Sequence, residues 1–432
     1  MIIKKGQLFN YTSGFIYIVL LIFVCIKGVI LFPDSQSFLN LDFHRAIGYK
    51  FILQFLNCLF GKSFEFPLLG FQYLLLVFSS YHLCKTIKII FQLHFIFSIV
   101  LLLIVLAPAF YLHFVINKIL TESICYPLFL FFTNFMIQGF ILKKNSAYFK
   151  AIGIVILLVL IRGQFLALIV LISVIISIDI FQKGWSNKRL ITLGILVCVP
   201  IISNLFEKTY NYINYEKFTA TPFNNVSLIS PVIFVSDQSD INLLKNDEER
   251  AIFLKAYNAL LDKRLLYEKI NTKQQDIYYE YHHNFSTISN LSIHETGLNY
   301  FKEKGLNYND QLIAVNDTAE RLFYPLFKNN FKKWLNLYQL NLSHAFGSKR
   351  MILLFAMLLI TSFYFILKNK NKKHSKVIFL LVLSIFANHS VVAIAVHSIK
   401  RYIFYTDWII FAVIIILLNE VFTKSELKKN MI

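Results

Sequence analysis

Residues 149–181 read FKAIGIVILLVLIRGQFLALIVLISVIISIDIF, an apolar block broken at its centre by Arg162-Gly163-Gln164. A helix of about 20 apolar residues crosses a bilayer core. One helix over the whole block would leave a guanidinium near mid-membrane, at a cost of several kcal/mol. Two short helices, 149–161 and 165–181, that meet at Arg162 avoid this and bring the Arg to the membrane edge. The reading fixes both the fold class and the first residue of interest.

Runs of the same kind fill the rest of the chain. With 149–161 and 165–181 they number about ten: 14–32, 68–84, 92–112, 123–142, 190–206, 351–367, 377–398 and 403–421. The composition agrees. The 432 residues are 57% apolar and 16% charged, with mean hydropathy +0.59, whereas soluble domains are about 45–50% apolar and about 25% charged. Disordered, collagen-like and disulfide-stapled classes are excluded. The expectation is an all-α polytopic membrane protein of about 10 transmembrane helices.

A net charge of +19 invites a nucleic-acid reading, but its distribution argues against one. The polar stretch 207–350 is nearly neutral, with 17 Lys/Arg against 16 Asp/Glu. The excess sits in short clusters at alternate helix ends: Lys4/Lys5, Lys85/Lys88, Lys143/Lys144/Lys150, Lys183/Lys188/Arg189, 368–376 and Lys424/Lys428/Lys429. That is the positive-inside pattern. An even number of spans then puts both termini in the cytoplasm and every cluster on that side. The five Cys are isolated and lie in or beside apolar runs, with neither disulfide nor zinc spacing. The N-terminal run resembles a signal peptide without a cleavage site and reads as a retained first span.

Three parts follow: an N-terminal transmembrane module, 1–206, with a first outer loop at 33–67; an extracytoplasmic domain, 207–350; and a C-terminal transmembrane module, 351–432. Within the first loop, 46–60 reads as a helix lying in the interface. The aromatic-rich 322–340 stretch reads as a second one leading into the next span.

Ionisable residues at span ends carry the functional information, because a bilayer penalises each of them. The outer side gathers Asp34, Asp42, His44, Arg45, Lys118, Glu122, Arg162, His397, Lys400 and Arg401. Each has a structural explanation beside a chemical one. Asp34 suits a turn or N-cap, or a carboxylate that takes a proton from a hydroxyl. Thr121-Glu122 suits a helix start. The 397–402 segment suits interface anchoring or a phosphate clamp. Arg162 is the hardest to dismiss, since an intramembrane Arg needs a carboxylate or phosphate partner. No phosphate loop, nucleophile elbow or metalloprotease motif occurs. His282-His283 and His294-Glu295 lack metal spacing and read as surface residues.

This layout resembles the GT-C glycosyltransferases, polytopic enzymes that use polyprenyl-phosphate-linked sugars. The resemblance rests on an acidic residue after the first span (Asp34), a long outer loop with an interfacial helix (46–60) and a Thr-Glu opening the fourth span (Thr121-Glu122). It rests further on a short hairpin with Arg162 at its tip, a large outer domain before the last spans and Arg401-Tyr402 at the final one. Many members carry paired acidic residues in the first loop, whereas here Ser35 follows Asp34 and only Asp42 is available as the second.

The resemblance implies a hexosyl- or pentosyltransferase of cell-envelope polysaccharide assembly. It would move a sugar from a polyprenyl-phosphate donor to a glycan, lipid or protein acceptor, with no nucleic-acid partner. Asp34 and Glu122 would be catalytic; Arg162, Arg401, Lys118 and Lys400 would hold the donor phosphate; Asp42, His44 and Arg45 would orient sugar or acceptor. A divalent cation, Mg or Mn, on Asp34 and Asp42 is left open as a cofactor. The Lys/Asn/Ile/Phe-rich composition fits an AT-rich bacterial genome, hence an inner-membrane location with the site facing outward. Two other classes stay open: an O-antigen-type polymerase or ligase joining lipid-linked glycans, and a non-enzymatic lipid or glycan transporter.

Overall fold

The computed structural model describes residues 5–270, 274–368 and 372–429. Among these residues no strand forms, and a single parallel bridge joins Ile30 to Lys118. Eight helices are long and apolar enough to cross a bilayer: Gln7–Lys27, Glu65–Phe91, Thr121–Phe140, Gly163–Gln182, Asn187–Tyr215, Lys349–Leu367, Lys373–Ala395 and Lys400–Thr423. The chain is therefore an all-α polytopic membrane protein. The other two apolar runs form the helices Phe95–Tyr111 and Asn145–Ile161, of 17 residues each. At about 1.5 Å per residue each is about 26 Å long, a little short of a bilayer core of about 30 Å.

The bundle is built around the Glu122–Phe140 helix, buried along almost its whole length and packed on Glu65–Phe91 and Asn145–Ile161. The outer helices turn Phe15, Ile201 and Ile360 outward, each 65–68% exposed. Such apolar surface is costly in water and costs nothing against lipid tails. The hub helix begins at Glu122 and ends where the Phe140 carbonyl accepts from Lys376. That second end also holds the Lys376–Asp179 and His374–Glu420 pairs.

A second apolar core, around Ile229, Phe234, Phe253, Ile288 and Leu322, marks a separate helical domain over the end that carries Glu122. The Asn187–Tyr215 helix runs without a break through residue 207 before the chain enters this domain. The expected single interfacial helix at 322–340 is instead two, Tyr308–Asn329 and Phe331–Ala345. They part at Asn330, whose amide donates to Asp240 and to the Leu326 carbonyl, a polar knot that hydropathy does not reveal. Domain and bundle are locked by Asn341. It donates to the Ala393 and Val396 carbonyls and accepts from Ser398 N and the Tyr278 hydroxyl.

Candidate functional site

Two backbone pairings set the site. After the first helix, Ile30 N donates to Asn117 O and Ile119 N to Ile30 O, which lays 30–35 beside the run into Glu122. The Ser35 hydroxyl fastens this pairing through the Ile119 carbonyl at 3.0 Å. Gln72, on the Glu65–Phe91 helix, holds the same run, donating to the Ile116 carbonyl and accepting from Ser123. Asp34 and Glu122 are thereby brought to one place.

The hairpin comes in from the other direction. Arg162 is extended, between helices that end at Ile161 and resume at Gly163. Gln164 donates to Asn388 and to the Tyr402 carbonyl, which ties the hairpin tip to the loop carrying Arg401. Gly48, in the Ile47–Phe60 helix, lies against the hairpin so closely that a Cβ would meet Ile161 N and Leu160 C at 2.9 Å.

The result is a chain of alternating charges. Arg45 reaches Asp34 Oδ1 at 3.1 Å, and Arg401 reaches Asp34 Oδ2 at 2.7 Å. Arg401 also donates to Glu122 Oε1, and Arg162 lies 2.8 Å from the same oxygen. The Thr121 hydroxyl donates to Glu122 Oε2. Arg162 is over the Tyr402 ring at 4.5 Å and contacts the Tyr405 hydroxyl. Asp34 and Thr121 occupy cap positions but make no side-chain cap bond, and Glu122 lies in the first turn of the hub helix.

Three guanidiniums face two carboxylates, a surplus of positive charge. Lys118 adds to it from beneath Phe32, which lies between Lys118 at 5.0 Å and Arg401 at 4.9 Å. Glu122 is fully buried, while the side chains of Asp34, Arg45 and Arg401 keep 24–31% of their surface. The cluster is thus accessible from one side. Burial opposes ionisation of Asp34, but Arg401 and Arg45 outweigh it and hold the carboxyl below its ordinary range.

The remaining candidates lie around this line. Lys400 points elsewhere, to Asp407 Oδ1 at 2.8 Å. Asp42 offers its carbonyl to Lys50. His44 is set against Phe223, its Nδ1 has no hydrogen-bond partner, and burial together with Arg45 pushes its imidazole down to about 4. Both Asp34 oxygens go to arginines. Among the described residues no three His, Cys, Asp or Glu side chains are placed to hold a metal ion.

Sequence reasoning missed several participants. Lys50, on the Ile47–Phe60 helix, is fully buried, donates to the Tyr215 hydroxyl and is pushed down to about 8 by burial against the pull of Glu207 and Asp42. Asp407 was absorbed into an apolar run. His282 is half-buried, its ring 4.6 Å from that of His344 and 4.9 Å from that of His397. No family model matches the chain, and neither a curated protein nor a solved structure is significantly similar to it.

Proposed function

We propose that this chain is a membrane glycosyltransferase that moves a sugar from a polyprenyl-phosphate donor to an extracytoplasmic acceptor, with ten spans and both termini in the cytoplasm. The observation that carries the reading is the Arg45–Asp34–Arg401–Glu122–Arg162 line, assembled from distant segments at one end of an apolar bundle. A purely structural network would approach neutrality. This one keeps a surplus cation and an open side, which suits an anionic group from the membrane edge.

The chemistry follows from the pairing. The acceptor oxygen attacks the anomeric carbon, the bond from that carbon to the phosphate oxygen breaks, and the electron pair leaves with polyprenyl phosphate. Arg162 and Arg401 stabilise the charge that develops on the leaving phosphate. The acceptor proton passes to Asp34. Arg401 couples these events, because it holds Asp34 in a weakly basic state until a phosphate competes for the guanidinium. Donor binding would strengthen the base only when the leaving group is in place.

The test is release of polyprenyl phosphate from synthetic monosaccharide donors by the full chain in nanodiscs. Release that needs Asp34 supports the reading. Consumption of oligosaccharide-lipids alone would favour the polymerase or ligase class, and movement of lipid without bond cleavage would favour transport.

A further inference from the structure

Lys400 and Arg401 are neighbours in sequence but serve different places. Arg401 faces Asp34 and Glu122; Lys400 meets Asp407 on the lining of a cavity of about 600 Å³. Three membrane-length helices supply its apolar walls, through Met351 and Phe355, Ile385, and Ile410 and Phe411. His282 and His344 line it from the outer domain. Hydrocarbon below and polar groups above is the profile of a site for an amphiphile.

Two residues of the lining each carry a buried polar atom without a partner. His389 is 6% exposed and Ser398 2%, and neither His389 Nδ1 nor Ser398 Oγ makes a hydrogen bond. Buried polar groups left unpaired are costly and uncommon. Both residues border one cavity wall, where a ligand with hydrogen-bonding groups of its own would lie beside these atoms.

Charge narrows the ligand further. Lys400 and Asp407 neutralise each other at 2.8 Å, and the Tyr111 hydroxyl also donates to Asp407. Burial holds the imidazoles of His282 and His344 below their ordinary value, so both are uncharged at neutral pH. The lining therefore sums to zero, unlike the arginine line next to it. A phosphate would gain little here. Sugar hydroxyls, which donate and accept, match imidazole nitrogens, a serine hydroxyl and a Lys–Asp pair.

We propose that this cavity binds an amphiphile with an uncharged, hydroxyl-rich headgroup, chemically a glycolipid, with its chain against Met351, Phe355 and Phe411 and its hydroxyls at Lys400, Asp407 and Ser398. The inference stands on the cavity alone and does not require transfer at the arginine line.

Photolabelling separates the outcomes. The full chain in nanodiscs is irradiated with a diazirine-bearing alkyl glucoside or the matching alkyl phosphate, and labelled peptides are mapped by mass spectrometry. The glucoside should label peptides containing Met351 and Phe411, and dodecyl maltoside should compete. Met351→Trp fills the wall and should abolish this labelling. Ser398→Ala removes one hydroxyl without adding volume and should weaken glucoside binding by roughly tenfold or less with an unchanged melting temperature. That second variant keeps the test decisive if the Trp variant does not fold. Equal or stronger labelling by the phosphate would overturn the neutral-headgroup assignment, and labelling confined to the lipid-facing surface would overturn the site.

Discussion

Arg401 and Glu122 meet across 279 residues of chain, and the Glu122 oxygen they share is the one that Arg162 also contacts. A single buried carboxylate thus joins the hub helix to both the hairpin tip and the start of the last span. Glu122→Gln keeps the shape but removes the charge, leaving two guanidiniums facing each other. Removing one partner of a buried pair costs about 3–5 kcal/mol. Because Arg162 and Arg401 retain 17% and 24% of their side-chain surface, a loss at the lower end of that range is expected. The midpoint of thermal unfolding in detergent reads it; an unchanged midpoint would show that Glu122 does not hold these elements together.

Gly48→Ala should separate the interfacial helix from the hairpin. The new methyl would meet backbone atoms of Leu160 and Ile161 at 2.9 Å, and backbone cannot step aside as a side chain does. Arg45 is three residues before Gly48 and would lose its register with Asp34. Reduced yield, or increased protease cleavage within 41–60, is the expected readout. Wild-type yield and cleavage would mean that the contact is looser than it looks.

Most of the bundle was legible because apolar runs of helical length leave little choice inside a bilayer. The Arg162 hairpin was legible for the same reason, through the cost of a buried cation. The convergence of Asp34, Glu122 and Arg401 was not derivable from local pattern, since it depends on the pairing of 30–35 with 117–119 and on Gln72 and Gln164. These are single polar side chains inside apolar helices, and nothing in their spacing marks their partners. Asp407 escaped notice because an acid in the first turn of a span resembles ordinary helix-end chemistry. Within 207–350 the helix breaks were not legible, since they depend on contacts such as Asn330 with Asp240.

Each of these assignments depends on the topology, which is directly measurable. In a cysteine-free background, a Cys placed at exposed Tyr324 should react with an impermeant maleimide in intact cells. One placed at Phe422, near the opposite end with Glu420 and His374, should react only after permeabilisation. Reaction of the Tyr324 probe only after permeabilisation would invert the map and remove the site from the outer face.

Asp34→Asn should abolish transfer while leaving protein level largely intact, because the amide preserves most of the local geometry but cannot take the proton. Arg45→Gln is the more discriminating variant. Arg401 and Arg45 keep the Asp34 carboxyl below its ordinary 3.8 against the effect of burial. Without Arg45 burial is less opposed and the carboxyl titrates higher, so the acid limb of kcat/KM moves to higher pH. Stability depends on the same ionisation and is also lost on acidification. A depressed carboxyl contributes stability above its unfolded value, and that contribution is lost as pH falls through the folded one. The wild type should therefore lose the Asp34 contribution only below about pH 4, whereas the variant has less of it to lose. A limb that stays in place would separate Asp34 from proton transfer.

Arg162 is where structural and functional explanations compete most directly, since the geometry gives it a carboxylate partner. Glu122 keeps Arg401 when Arg162 is removed, whereas both arginines lose their shared partner when Glu122 is removed. Arg162→Ala should therefore cost less stability than Glu122→Gln. If Arg162 also holds the donor phosphate, the Ala variant should bind a polyprenyl-phosphate sugar roughly thirtyfold or more weakly, the low end of what truncating a buried charge pair costs. Lys should restore part of this, because an ammonium supplies charge without the bidentate fork. The double variant with Glu122→Gln decides between the roles: a structural pair would recover yield and leave donor affinity as in the wild type, whereas a phosphate ligand would recover yield with affinity still lost. Measuring yield and donor affinity across the four proteins is sufficient, and recovery of both would remove Arg162 from the site.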